Sequence, residues 1–139
     1  MRGFGDKARG VTSGGKDSRQ HLIYKALRYH SEGNTTEAIK YYKRFLDKGF
    51  TDPRVFFNYG ILCKENNEID KAISLYRQSI HLFPKSPESY INLGGILLDE
   101  EALDEAEMIT RKAIQLHPSS ANAYHNLGTI LIEKKHLKE

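Results

Sequence analysis

Three eight-residue stretches decide the fold of this 139-residue chain: FFNYGILC at 56–63, YINLGGIL at 90–97 and YHNLGTIL at 124–131. Asparagine is the third residue of each stretch and glycine the fifth, so both recur at a spacing of 34 residues. The same spacing separates Ala38, Ala72 and Ala106, and likewise Pro84 and Pro118. A period shared by four residue types indicates an internal structural repeat.

Each repeat predicts two helices joined by a short turn. Apolar residues recur at helical spacing in stretches such as EAIKYYKRFL at 37–46, without the alternation of a strand. Asp52-Pro53 and Ser86-Pro87 each pair an N-cap residue with a proline suited to the first helical position. Gly33 and Asn67, also 34 apart, suit a left-handed turn residue inside each pair. The repeated glycine is expected where the second helix approaches the first closely. The chain is therefore predicted to be all-α.

This helix-turn-helix period resembles the tetratricopeptide repeat (TPR). The matching patterns are FFNYGILC…A…Y…P from Phe56 to Pro84 and YINLGGIL…A…T…P from Tyr90 to Pro118. The resemblance implies a right-handed superhelical stack of antiparallel helix pairs, a TPR solenoid with about three full repeats and one final helix. The expected segments are a flexible basic Gly/Ser-rich tail at 1–18, a degenerate repeat at 19–52, full repeats at 53–86 and 87–120, and a truncated repeat or capping helix at 121–139.

Charge and composition argue against several partners. Residues 1–20 account for the whole net charge of +3, so the remaining chain has no excess of basic residues and nucleic-acid binding is not expected. No apolar run approaches the roughly 20 residues of a membrane helix, and no secretory signal precedes the repeats. The single cysteine, Cys63, forms no internal disulfide. We expect a cytoplasmic protein without a membrane partner.

No motif predicts catalysis, a metal or a cofactor. The six histidines share no repeat position, and Cys63 falls at a predicted core position. The acidic stretch DEEALDEAE at 99–107 is better explained as a solvated turn and helix start than as paired general acids. NLGGIL at 92–97 lies within a predicted helix and lacks the strand that precedes a phosphate-binding loop. A non-enzymatic protein is predicted.

The resemblance also implies a binding surface. In TPR proteins the first helix of each pair lines a concave wall that commonly binds peptides. The expected groove residues are Arg54, Phe57, Asn58, Ile61, Ile91, Asn92, Leu98, His125 and Asn126. Each repeated asparagine amide offers two donors and an acceptor, which suit the backbone of an extended chain. The asparagine ladder of O-linked N-acetylglucosamine transferases is similar. Alternatively, these amides bond to neighbouring helices and fix the repeat spacing.

A second family mode, the carboxylate clamp of chaperone-binding members, is not expected. It needs a lysine and an asparagine in the first repeat, where Ile23 and Leu27 stand. It also needs a lysine and an arginine in the third, where Glu88 and Asn92 stand.

The end of the sequence leaves two interpretations open. Residues 137–139 align with Leu103, Asp104 and Glu105, so a second helix is expected to begin there. Without that helix, we expect the side chains of Tyr124, Leu127 and Leu131 to be exposed to solvent. Either the chain is part of a longer protein, or this apolar face supports self-association. We expect a protein-interaction module that binds an extended peptide. The alternative is a substrate-recruiting arm of a glycosyltransferase or sulfotransferase, as in bacterial proteins with similar repeats.

Overall fold

The computed structural model describes residues 15–139, and most of the predicted tail lies outside this range. The described residues form seven α-helices and no strand, which confirms the predicted all-α fold. The chain divides into two compact units, one ending at Thr51 and the other spanning Asp52–Glu139. The helices are α1 (Arg19–Ser31) and α2 (Thr35–Asp47) in the first unit, and α3 (Pro53–Glu65), α4 (Ile69–Leu82), α5 (Pro87–Asp99), α6 (Leu103–Leu116) and α7 (Ala121–Lys138) in the second.

The first unit is built on one helix pair. The side chains of Ser18 and Asn34 start its two helices by accepting hydrogen bonds from backbone N–H groups of the first turn. Gly33 makes the turn between them with φ +75°, as predicted. The core of the pair consists of fully buried side chains: Leu22, Ala26, Ala38, Tyr42 and Phe45.

The second unit has two layers. Helix α5 contacts α3 and α7, so the first helices of successive repeats form one layer, which we call the α3–α5–α7 layer. Helices α4 and α6 form the other layer and pack against their own first helices. The start of α7 enters a cluster in which Tyr90, Ala113 and Ala123 are buried.

The repeated glycines face the second helix of each pair. A Cβ built at Gly60 would lie 2.5 Å from Cε1 of Tyr76, and one built at Gly94 would clash with Oγ1 of Thr110. The nearest side chains are therefore Tyr76 and Thr110 rather than the repeated alanines. The structure confirms that close approach requires glycine at these two positions. At Gly128 a Cβ would meet no atom within 4 Å.

The turns inside the helix pairs also follow the repeat. Asn67 has φ +63°, as predicted, and Glu101 has φ +60° at the corresponding place one repeat later. Glu101 has a Cβ that disfavours this conformation, so the sequence did not indicate it. Ser86 is the N-cap residue of α5 with Pro87 after it, as predicted, but its hydroxyl donates to Oε2 of Glu88 at 2.7 Å rather than accepting from a backbone N–H.

Helix α7 departs from the repeat by running on without a turn. It spans 18 residues, whereas α5 spans 13. Lys135, which corresponds to Asn67 and Glu101, lies inside the helix, so the expectation that a new helix begins at Leu137 is wrong. Nζ of Lys134 lies 2.7 Å from Asp104 and 2.8 Å from Glu107, and these contacts hold the extended helix against α6.

Candidate functional site

A pocket of about 340 Å³ opens between α3 and α5. Its lining residues are Ile61, Lys64, Glu65, Tyr76 and Asn92. Two of them, Ile61 and Asn92, belong to the predicted groove. Tyr76 comes from α4 and reaches the pocket past Gly60, which has no side chain to block it. A surface at the junction of two repeats therefore combines an aliphatic side chain, an amide, a phenol and two opposite charges.

The repeated asparagines are not equivalent. Nδ2 of Asn126 donates a hydrogen bond of 3.3 Å to the backbone carbonyl of Ile91 on α5. A Cβ built at Gly95 would lie 3.5 Å from this amide nitrogen, which is an ordinary contact distance. One repeat earlier, Ile61 occupies the place of Gly95 and lines the pocket together with Asn92. Within residues 15–139 the structure shows no hydrogen bond to the half-buried amide of Asn92.

Asn58 belongs to the same series. It is half-buried on α3 and, like Asn92, shows no side-chain hydrogen bond within the described residues. It lies outside the lining of the pocket. Asn126 thus makes a local bond to a neighbouring helix, whereas no such bond is shown for Asn58 or Asn92 within residues 15–139.

Charged side chains border this region. Nζ of Lys64 lies 3.4 Å from Oδ2 of Asp99, an ion pair that links the ends of α3 and α5 beside the pocket. Arg54 is turned toward the start of its own helix, where its guanidinium donates two hydrogen bonds of 3.0 Å to the Asp52 carboxylate. This pairing with Asp52 raises the pKa of Arg54. The predicted contribution of Arg54 to a groove is thus restricted by its bond to the N-cap.

Tyr76 supplies a hydroxyl that stays protonated. Burial is the main reason that its pKa is raised, and the neighbouring Cys63 and Glu65 act in the same direction. Burial likewise raises the pKa of the Cys63 thiol. Neither group is prepared to act as a nucleophile, because each favours its neutral form.

The remaining predicted residues lie on the same layer with different exposures. Phe57, Ile91 and Leu98 are half-buried, and His125 is exposed on α7. None of the four lines the pocket. The predicted groove residues included neither Tyr76 nor Glu65. The signal that could have placed Tyr76 here is its spacing of 16 residues from Gly60, which sets the two opposite each other in the helix pair.

In residues 15–139, no group of three or more His, Cys, Asp or Glu side chains is arranged to hold a metal ion. Over the same range, no helix combines the length and apolar character needed to cross a membrane.

The family follows from a match over residues 24–133, which cover most of both units. The matching model is that of the cilia and flagella-associated protein 70 middle TPR-like domain. The chain belongs to this TPR family. No curated protein matches the sequence significantly.

Solved structures show the same fold. The crystal structure of MamA aligns with a TM-score of 0.81 at 21% identity, covering 97% of this chain and 86% of MamA. The first TPR of Spaghetti (RPAP3), bound to the HSP90 peptide SRMEEVD, gives a TM-score of 0.77 at 20% identity and covers 90% of this chain and 97% of that one.

A third similar structure is YrrB, described as a TPR protein with an unusual peptide-binding site. It aligns with a TM-score of 0.75 at 21% identity, covering 94% of this chain and 66% of YrrB. At these identities the likeness establishes the fold. Neither the family match nor these structures support the alternative function, a substrate-recruiting arm of a transferase.

Proposed function

We propose that this chain is a non-enzymatic protein-interaction module that binds an extended peptide on the α3–α5–α7 layer, centred on Asn92. The observation that carries the proposal is the half-buried Asn92 amide, which lines an open pocket and has no hydrogen-bond partner among the described residues. A partly desolvated amide without a partner favours binding of a group that supplies both a donor and an acceptor. A peptide backbone supplies both.

The pocket itself fits a side chain of such a peptide. Its volume of about 340 Å³ is near the lower end of the roughly 300–1,000 Å³ of small-molecule sites. Ile61 offers an apolar contact, while Lys64 and Glu65 sit at the border and provide charges of both signs. We expect a preference for a medium-sized apolar residue flanked by polar ones.

The structural neighbours support the class of ligand. One of them is bound to a peptide and another is described as having a peptide-binding site. The Glu88 and Asn92 positions lack the basic residues of a carboxylate clamp, so we expect the peptide SRMEEVD to be a poor ligand of this chain.

The proposal can be tested with a random peptide library displayed on phage and selected against the purified chain. Selected peptides are then measured by fluorescence anisotropy. The double variant Asn58→Ala, Asn92→Ala should weaken their binding by about tenfold or more, because each amide pairing contributes roughly 0.5–1.5 kcal/mol. The melting temperature should stay close to that of the wild type.

Asn126→Ala is the matched control. It removes the amide that bonds to the Ile91 carbonyl and should lower the melting temperature while leaving peptide affinity nearly unchanged. If the double variant lost stability in proportion to affinity, or bound the peptides as well as the wild type, the proposal would fail.

A further inference from the structure

Tyr76 is the most deeply buried residue that lines the pocket between α3 and α5. It is 1% exposed, and it belongs to α4 rather than to the layer that it reaches. A Cβ built at Gly60 on α3 would lie 2.5 Å from Cε1, 2.6 Å from Cζ and 3.0 Å from the hydroxyl oxygen of Tyr76. The hydroxyl end of the ring is therefore the end that passes Gly60 and meets the pocket.

The hydroxyl of Tyr76 shows no hydrogen bond within residues 15–139. Two other buried tyrosines have partners inside the protein. The Tyr42 hydroxyl shares a hydrogen bond of 2.8 Å with Nδ1 of His30. The Tyr90 hydroxyl donates to the Pro84 carbonyl at 2.9 Å. Because burial raises the pKa of Tyr76, its hydroxyl stays a neutral phenol with a proton to donate.

A ligand that fills the pocket has to meet this hydroxyl. Water reaches the hydroxyl through the mouth of the pocket and pairs with it in the free protein. A side chain that displaces this water must supply an acceptor, because a donor left without a partner costs more free energy than an ordinary hydrogen bond contributes. The pocket therefore discriminates by the atom at the tip of the side chain that enters it.

Among apolar side chains of suitable size, methionine brings such an acceptor. Ile61 provides an apolar wall, and the volume of about 340 Å³ suits a medium-sized side chain. Leucine, isoleucine and norleucine end in hydrocarbon, whereas the thioether sulfur of methionine accepts weakly and makes favourable contacts with aromatic rings. Glutamine carries an acceptor as well, but it also brings two N–H donors that lose their water beside Ile61.

We propose that the pocket binds a methionine side chain of the peptide, and that the Tyr76 hydroxyl donates to its sulfur and so sets the specificity of the site. This inference rests on the proposed function, because it names the residue that the bound peptide places in the pocket.

The test begins with the phage-displayed peptide library, selected in parallel against the full wild-type chain and against Tyr76→Phe. Methionine should be enriched at one peptide position in the wild-type selection and lose that enrichment in the other. The substitution keeps the ring that packs against Gly60 and removes a hydroxyl for which residues 15–139 show no partner. The midpoint of urea denaturation should therefore stay unchanged.

Synthetic peptides then measure the contribution of the sulfur. In the wild type, replacing the selected methionine by norleucine, which has nearly the same shape without the sulfur, should weaken binding about threefold or more by fluorescence anisotropy. In Tyr76→Phe the two peptides should bind equally. Because the ring remains in that variant, the lost preference is assigned to the hydroxyl rather than to contact between sulfur and ring.

Tyr90→Phe is the matched control. It also removes a buried tyrosine hydroxyl, but one that donates to the Pro84 carbonyl. The variant should lower the midpoint of urea denaturation and keep the preference for methionine over norleucine.

Several results would overturn the inference. These are equal binding of the norleucine and methionine peptides to the wild type, or a preference that persists in Tyr76→Phe or disappears in Tyr90→Phe. Tighter binding of a glutamine peptide would assign the pocket to a carboxamide instead. Selected peptides without a methionine preference would contradict this inference alone, whereas failure to select any peptide would contradict the proposed function as well.

Discussion

Helices α5 and α7 carry nearly the same eight residues but bury them differently. In YINLGGIL of α5, Tyr90 is 5% exposed and Leu97 is 4% exposed, since α6 covers them. In YHNLGTIL of α7, the corresponding Tyr124 and Leu131 are 51% and 42% exposed. The difference shows that burial at these two positions depends on whether a second helix covers them.

The difference between α5 and α7 should be largest when Leu97 and Leu131 are each replaced by alanine. Leu97→Ala should lower the free energy of unfolding by about 2–5 kcal/mol, because it leaves a cavity under α6. Leu131→Ala should change it by well under half of that. Urea denaturation followed by circular dichroism measures both, and similar losses would show that Leu131 is buried in solution.

Replacing Gly94 and Gly128 with alanine should change the free energy of unfolding in opposite directions. Gly94→Ala should destabilise the fold by about 1–3 kcal/mol, because its methyl group would collide with Thr110. Gly128→Ala should stabilise it by roughly 0.5–1 kcal/mol, as expected for alanine replacing glycine in an open helix. Thermal melting of both variants gives the sign directly. A loss of stability in Gly128→Ala would mean that something already covers that site.

The turn between α5 and α6 and the uninterrupted α7 provide a third contrast. Glu101 has φ +60°, so Glu101→Gly should stabilise the fold by about 1 kcal/mol. Lys135 lies at the corresponding place inside α7, and Lys135→Gly should destabilise that helix by roughly 1 kcal/mol. If both variants shifted the melting temperature in the same direction, α7 would contain a turn in solution.

The smallest expected effect is on the stability of α7 at acidic pH. A hydrogen bond from Lys134, with a second from Arg111, lowers the pKa of Glu107. A carboxylate with a lowered pKa in the folded state contributes stability at neutral pH, and this is lost as pH falls through that pKa. Lys134→Met should therefore reduce the loss of stability of α7 on acidification. The measurement is the protection of its amide protons from hydrogen exchange at pH 3 and at pH 7. An unchanged difference between the two pH values would assign that sensitivity to other carboxylates.

The repeat period was sufficient to predict the all-α fold and the left-handed residues Gly33 and Asn67. The period could not show that identical residues at one repeat position make different contacts. Asn92 and Asn126 hold the same repeat position, yet Asn126 donates to the backbone carbonyl of Ile91, whereas Asn92 lines a pocket beside Ile61. Such differences come from a neighbouring helix rather than from the residue itself.

The same reason accounts for α7. Aligning the end of the chain with the earlier repeats predicted a turn near Lys135. Such an alignment compares residue positions and contains no information on contacts between helices. The helix continues through Lys135, and Lys134 contacts carboxylates on α6. The residues of the pocket were partly predictable. Ile61 and Asn92 were among the groove residues that the TPR resemblance implies, whereas Tyr76 reaches the pocket only because Gly60 has no side chain.

The anchoring of α7 has a kinetic consequence. Only Ala123 and Ile130 are buried in its 18 residues, so its second half should open and close far more often than α3 or α5. A ligand on its outer face would slow that opening, and amide protons beyond Ile130 would then exchange with solvent more slowly. The exchange rate of the last turns of the chain would thus report whether the face is occupied.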